Sequence, residues 1–127
     1  MSGNETRKID ITRLYTDEAG ETHFVEEKLE VQEVNFAPPA PSMFASSPVE
    51  AKASVYLLLP EGYFGDFHPA PRRQLMTLVK GALEVKVSDG ETRRFTPGGT
   101  VLVEDTTGKG HATKSVGGES IVLVAQL

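Results

Sequence analysis

Apolar residues along this chain come in short runs, and where a run is not continuous it alternates with polar residues. Leu83, Val85 and Val87 alternate with Glu84, Lys86 and Ser88. Successive side chains of a strand point to opposite faces, so this stretch has one buried face and one wet face. Gly, Pro and Asp-Gly pairs separate the runs, and no segment keeps a helical period. The pattern predicts an all-β fold built from many short strands, a sandwich or a barrel.

The individual elements follow from the same rule. "KIDITRLYT" (8–16) and "THFVEEK" (22–28) flank "DEAGE" and predict a hairpin, and "LEVQEVNF" (29–36) predicts another extended piece. "APPAPSMFASSP" (37–48) carries four prolines, which keep it out of any central strand and favour an extended arm. That arm holds Met43 and Phe44, suited to packing across the domain or onto a partner subunit. "SVYLLL" (54–59) is continuously apolar, as a strand buried on both faces would be. "EGYFGD" (61–66) is expected as a loop. "RQLMTLV" (73–79) and "ALEVKVS" (82–88) are strands, "SDGE" is a tight hairpin and "TPGG" a type II turn. "TVLVE", "ATKSV" and "SIVLVAQ" complete the strands.

Composition narrows the function classes. The chain has 127 residues, enough for a single core. A net charge of -5 argues against nucleic acid or an anionic membrane surface as the main partner. With no cysteine, disulfides, thiolate metal sites and cysteine nucleophiles are excluded. No apolar run approaches the ~20 residues of a membrane helix, and "MSGNETRK" has no apolar leader core. The expectation is a soluble, cytoplasmic protein that binds small molecules.

Candidate chemistry lies in two stretches, "HPAPRRQLMTLVKG" (68–81) and "GGTVLVEDTTGKGH" (98–111). They resemble the two motifs of the cupins. The first cupin motif is His-x-His, three or four residues, Glu, six residues, Gly. Here His68 matches the first histidine, Ala70 replaces the second, Gln74 replaces the glutamate and Gly81 closes the motif. The second motif is Gly, five residues, Pro-x-Gly, two residues, His. It runs here from Gly98 to His111, with Glu104 in place of the proline and a loop two residues longer. "HPAPRRQ" and "EDTTGKGH" together look like a group of small single-domain cupins. The resemblance covers residues 54–127 and implies a jelly-roll barrel of two packed antiparallel sheets with about eight strands, frequently a homodimer. Residues 1–53 would then be N-terminal strands and an arm packing on that barrel, within one domain.

Strand parity places His68, Ala70, Arg72, Gln74, Met76 and Leu78 on one face, which in a cupin points inward. His68, Gln74 and His111 are therefore candidate ligands for a divalent metal such as Zn, Fe, Mn or Ni, or the site holds none. The usual triad lacks one imidazole and its carboxylate, and Glu104 and Asp105 are the nearest replacements in sequence. His111, His68, Asp105 and Glu104 are the catalytic candidates; Arg72, Gln74 and Met76 are candidates for substrate contact, with Arg72 as an anion clamp. Arg73 is expected to point out. "DTTGKG" fails as a phosphate loop, because Val103 stands where the first glycine belongs and a strand follows. His23 is expected at the surface. Two functions stay open. One is a metal-assisted enzyme of isomerase, lyase or oxygenase type acting on a carboxylate-bearing or polyoxygenated metabolite. The other is a non-catalytic ligand-binding or sensing protein without metal.

Overall fold

The computed structural model describes residues 5–127. The strands are β1 (Thr6–Thr16), β2 (Thr22–Val34), β3 (Met43–Ser46), β4 (Ala53–Leu59), β5 (Phe64–His68), β6 (Gln74–Lys80), β7 (Leu83–Val87), β8 (Thr92–Phe95), β9 (Thr100–Val103), β10 (His111–Ser115) and β11 (Ser120–Gln126). They form a seven-stranded sheet, ordered β3-β2-β1-β9-β6-β11-β4, and a four-stranded sheet, ordered β5-β10-β7-β8. Pairing is antiparallel except between β1 and β9. The sheets stay separate and do not close into one hydrogen-bonded barrel. The fold is all-β, built on two facing sheets.

Alternation fixes which side chains meet between the sheets. Leu83, Val85 and Val87 of β7 face Leu14, Val122 and Val124 of the larger sheet in one buried cluster. Val87 and Val124 are fully buried, and burying a side chain of this size stabilises by about 1.5–3 kcal/mol. Phe24 and Phe95 meet edge to face, with ring centroids 6.2 Å apart. Leu14 and Phe24 lie before residue 54, so the N-terminal hairpin is part of this core. The turns form where their residues demand. The Gly90 amide bonds the Val87 carbonyl at 3.1 Å, and Gly98, at φ 95°, occupies the position of the "TPGG" turn that needs a positive φ.

Four local expectations are corrected. "LEVQEVNF" is not a separate element, because β2 runs on to Val34 and keeps an unbroken register with β1 through Gln32. Part of the proline-rich arm, Met43–Ser46, adds to β2 as an edge strand. Phe64–His68 is a strand rather than loop, because it finds β10 as a partner. "SVYLLL" is not interior on both faces: β4 is a sheet edge, and Tyr56 and Leu58 are 72% and 56% exposed. The strand count is also higher than the resemblance implies, because β1–β3 extend the large sheet.

At one end of the molecule His23 ties two turns together. Its Nε2 meets Asp17 at 2.7 Å and its Nδ1 meets Asp89 at 2.8 Å. Hydrogen bonding to Asp17, then to Asp89, raises the His23 pKa above its ordinary 6.5; the His23 contact lowers the Asp17 carboxyl, and the Glu91 amide, then His23, lowers that of Asp89. A raised histidine pKa contributes stability that is complete below 6.5 and disappears as pH rises through the folded value. His23→Gln should therefore destabilise the protein more at pH 5.5 than at pH 9 in urea titrations. An equal loss at both would contradict this assignment.

Candidate functional site

A cavity of about 500 Å³ lies between the sheets, within the range of small-molecule sites. His68, Ala70, Arg72, Gln74, Met76 and Leu78 all line it, as does His111. Tyr63, Thr113 and Gln126 also line it and went unassigned in the sequence reading. Thr113 was legible, since it follows His111 by two residues on one strand. Gln126 was not, because its place beside Gln74 depends on the pairing of β11 with β6.

The two histidines come from strands that are neighbours only in space. His68 ends β5, His111 begins β10, and they face each other in antiparallel register. Their ring centroids are 5.4 Å apart at a 41° tilt. The pairing shifts register between His111 and Thr113, with the extra residue on β5. The Nδ1 of His68 lies 2.8 Å from the Asp66 carbonyl oxygen, and that of His111 lies 2.5 Å from Asp105 Oδ2. A carbonyl or carboxylate oxygen only accepts, so each Nδ1 carries the proton. In the neutral rings each Nε2 is then an acceptor.

Asp105 and Glu104 have opposite fates, as neighbours with opposite parity should. Asp105 is fully buried behind His111, and its own carbonyl accepts the Ala70 amide at 2.9 Å. Its Oδ1 has no hydrogen-bond partner, an arrangement that ordinarily costs about 1–3 kcal/mol. Glu104 does not line the cavity. It pairs with Arg13 and, at 2.8 Å, with Arg73. Burial pushes its carboxyl up, but the two guanidinium groups outweigh that and hold it below the usual carboxylate range. Glu104 is thus a tie between β1 and the segment before β6, and its second oxygen is committed as well. Arg72 points the other way, into the cavity, with its Nη1 3.3 Å from Gln126 Oε1.

The loop between β9 and β10 sets this geometry. Gly108 packs on Gly20, and the buried Thr22 hydroxyl donates to the Gly110 carbonyl at 2.7 Å. Gly110, at φ 74°, lies directly against the His68 carbonyl and the Pro69 nitrogen, where any Cβ would collide with backbone. That closeness brings the ends of β5 and β10 together. Thr107 serves the turn, its carbonyl accepting the Thr16 hydroxyl at 2.9 Å, and Lys109 pairs with Glu21.

The donor set does not fit a resident metal of the cupin kind. Two histidines line the cavity, but Ala70 supplies nothing and Gln74 offers only a neutral amide. Asp105 Oδ2 is taken by His111 and Glu104 by two arginines. Among the described residues, no three His, Asp or Glu side chains are placed to hold a metal ion. A facial triad needs two imidazoles and a carboxylate on one face.

The Asp105 contact generates a specific expectation. An asparagine at 105 can present either its oxygen or its NH2 to His111, so it no longer fixes which ring nitrogen bears hydrogen. Asp105→Asn should stay folded, shift stability by less than about 2 kcal/mol, and convert His111 from one ring tautomer to a mixture. Long-range 15N–1H spectra of the ring read this directly. An unchanged single tautomer would contradict it.

No family model matches the chain, and neither does any curated protein sequence. Among solved structures it is similar to a cupin 2 conserved barrel domain protein from Rhodopseudomonas palustris, at 15% identity over 94% of this chain and 71% of that one, with a TM-score of 0.49. It is similar to a cupin domain from Schizosaccharomyces pombe, at 15% identity over 94% and 84% and a TM-score of 0.47. A conserved protein of unknown function from Streptococcus pyogenes shares 22% identity over 64% and 68%, with a TM-score of 0.48. These likenesses concern the fold alone. The chain's own two-sheet topology makes it an all-β protein, and its two glycine-framed stretches resemble the cupin motifs.

Proposed function

We propose that the protein binds a small organic molecule between its sheets and exchanges a proton with it through Nε2 of His111, without a resident metal. The observation that carries this reading is the 2.5 Å contact from His111, in the cavity wall, to the fully buried Asp105 behind it. A buried carboxyl with one unpartnered oxygen is a cost to folding. Costs of this kind persist at functional sites, where the group positions its neighbour.

The chemistry follows from that orientation. Nε2 accepts a proton from the bound molecule while Nδ1 keeps its own. The ring then carries a positive charge, which the adjacent Asp105 stabilises without itself taking the proton. His111 returns the proton to another atom of the same molecule, which is an isomerisation, or to a departing group, which is an elimination. A positioned base or acid of this kind contributes about 10²–10⁴-fold. His68 supplies a second Nε2 beside the first, and Gln74 and Gln126 supply neutral hydrogen bonds. The oxygenase reading needs a three-ligand metal, and the donor set gives it no support.

Deuterium wash-in tests the reading. Chelator-treated protein is incubated in D2O with oxo acids such as phenylpyruvate and 2-oxooctanoate, and exchange beside the carbonyl is followed by NMR. Wild type should accelerate exchange, and His111→Gln should reduce the acceleration by about 10²-fold or more. Acceleration that survives His111→Gln, or appears only after adding a divalent metal, would contradict the proposal.

The reading includes a homodimer. β4 carries no charged side chain and leaves one edge free, whereas edge strands are ordinarily protected by charge, proline or bulges. An antiparallel edge is self-complementary about a two-fold axis, so a second copy covers it without any other surface. Sedimentation should give twice the 13.8 kDa chain mass, and Tyr56→Lys should shift the protein toward monomer. A wild-type monomer at tens of micromolar would contradict the dimer.

A further inference from the structure

We infer that the cavity's ligand is a monoanion with an apolar body, its acidic head beside Arg72 and its tail running inward along β6. The inference rests on the cavity being a ligand site with His111 at its wall, and it names the class of molecule that fits.

The polar groups of the cavity gather at one end. Gln74 pairs in register with Gln126, Arg72 reaches the same Gln126, and His68 faces His111. The bond from the Ala70 amide to the Asp105 carbonyl joins the histidine pair to the segment carrying Arg72. Moving inward along β6, the lining changes from Gln74 to Met76 to Leu78, and along β11 from Gln126 to Val122. Gln74 to Leu78 is four residues of strand, about 13 Å of depth. Leu83, Val85, Phe95 and Val101 complete the far walls. Thr113 and Tyr63 carry the two hydroxyls inward of the histidines in this lining. A sugar or polyol filling that depth would lose hydrogen bonds to water and find few replacements, whereas a hydrocarbon body loses none.

Charge identifies the head. Arg72 is the single charged side chain lining the cavity among the described residues. The chain has 18 acidic residues against 13 basic, yet none of the described acids pairs with Arg72, whose side-chain partner is the neutral Gln126. Arg73 next to it is paired with Glu104. The unpaired guanidinium at the mouth of an apolar cavity matches a carboxylate, which it binds through two parallel hydrogen bonds. A carboxylate held there also places the adjoining carbons near the histidine pair.

Calorimetric titration of chelator-treated protein with octanoate, butyrate, octan-1-ol and sorbitol tests this. Octanoate should bind saturably, butyrate should bind more weakly by roughly fourfold for each missing methylene, and sorbitol should give no heat above dilution. Arg72→Gln should weaken octanoate by tenfold or more and leave octan-1-ol unchanged; Arg72→Lys should recover part of the loss. Thermal melts of both variants confirm that they fold, since Arg72 is exposed at the mouth. Sorbitol binding tighter than octanoate, octanoate affinity indifferent to Arg72→Gln, or failure of all four probes to bind each overturns the inference. The two readings fail separately. Octanoate bound through Arg72 without any His111-dependent deuterium wash-in leaves the ligand class standing and removes proton transfer. Wash-in that depends on His111 with no preference for head charge or tail length does the reverse.

Discussion

The organisation of the cavity mouth depends on the burial of one carboxyl group. Asp105 sits fully out of solvent with one oxygen on His111 and the other unpartnered. Such a group is tolerated only where the surrounding backbone is already fixed, and here it is fixed from three sides. The Ala70 amide holds its carbonyl, the Thr22 hydroxyl holds Gly110, and Gly110 lies against the end of β5. Moving any of these moves the histidine pair. The small side chain at position 70 belongs to the same arrangement: it is buried and lines the cavity.

The same loop divides its two acids by parity, and that division decides the chemistry. Val103 points to the cavity and Glu104 points away, where Arg13 and Arg73 neutralise it. Asp105 turns back under His111. One carboxyl therefore ties β1 to the segment before β6, and the other holds an imidazole through its Oδ2. The site combines two histidines, a guanidinium without an acidic partner among the described residues, and an apolar depth, the features on which the proposed proton transfer rests.

Much of the fold was legible because alternation and turn chemistry are local. The parity argument through "HPAPRRQLMTL" placed six side chains on one face, and all six line the cavity. The Asp-Gly hairpin and the "TPGG" turn formed where their residues require. What was not legible depends on partners distant in sequence. "SVYLLL" reads as doubly buried, yet its position at the end of a sheet leaves Tyr56 and Leu58 exposed. "EGYFGD" reads as a loop, and becomes strand only because β10 pairs with it. Asp105 and Glu104 were equivalent candidates in sequence. Only the arginines brought in by β1 and by the segment before β6 separate them.

The most direct test is the accessibility of the ring nitrogens themselves. Diethyl pyrocarbonate acylates a free imidazole nitrogen, and mass spectrometry resolves the rate at each histidine. With Nδ1 bonded and Nε2 open to the cavity, His111 and His68 should be modified, while His23, with both nitrogens on carboxylates, should react slowly. An inert His111 beside a rapidly modified His23 would contradict the orientation on which the account rests.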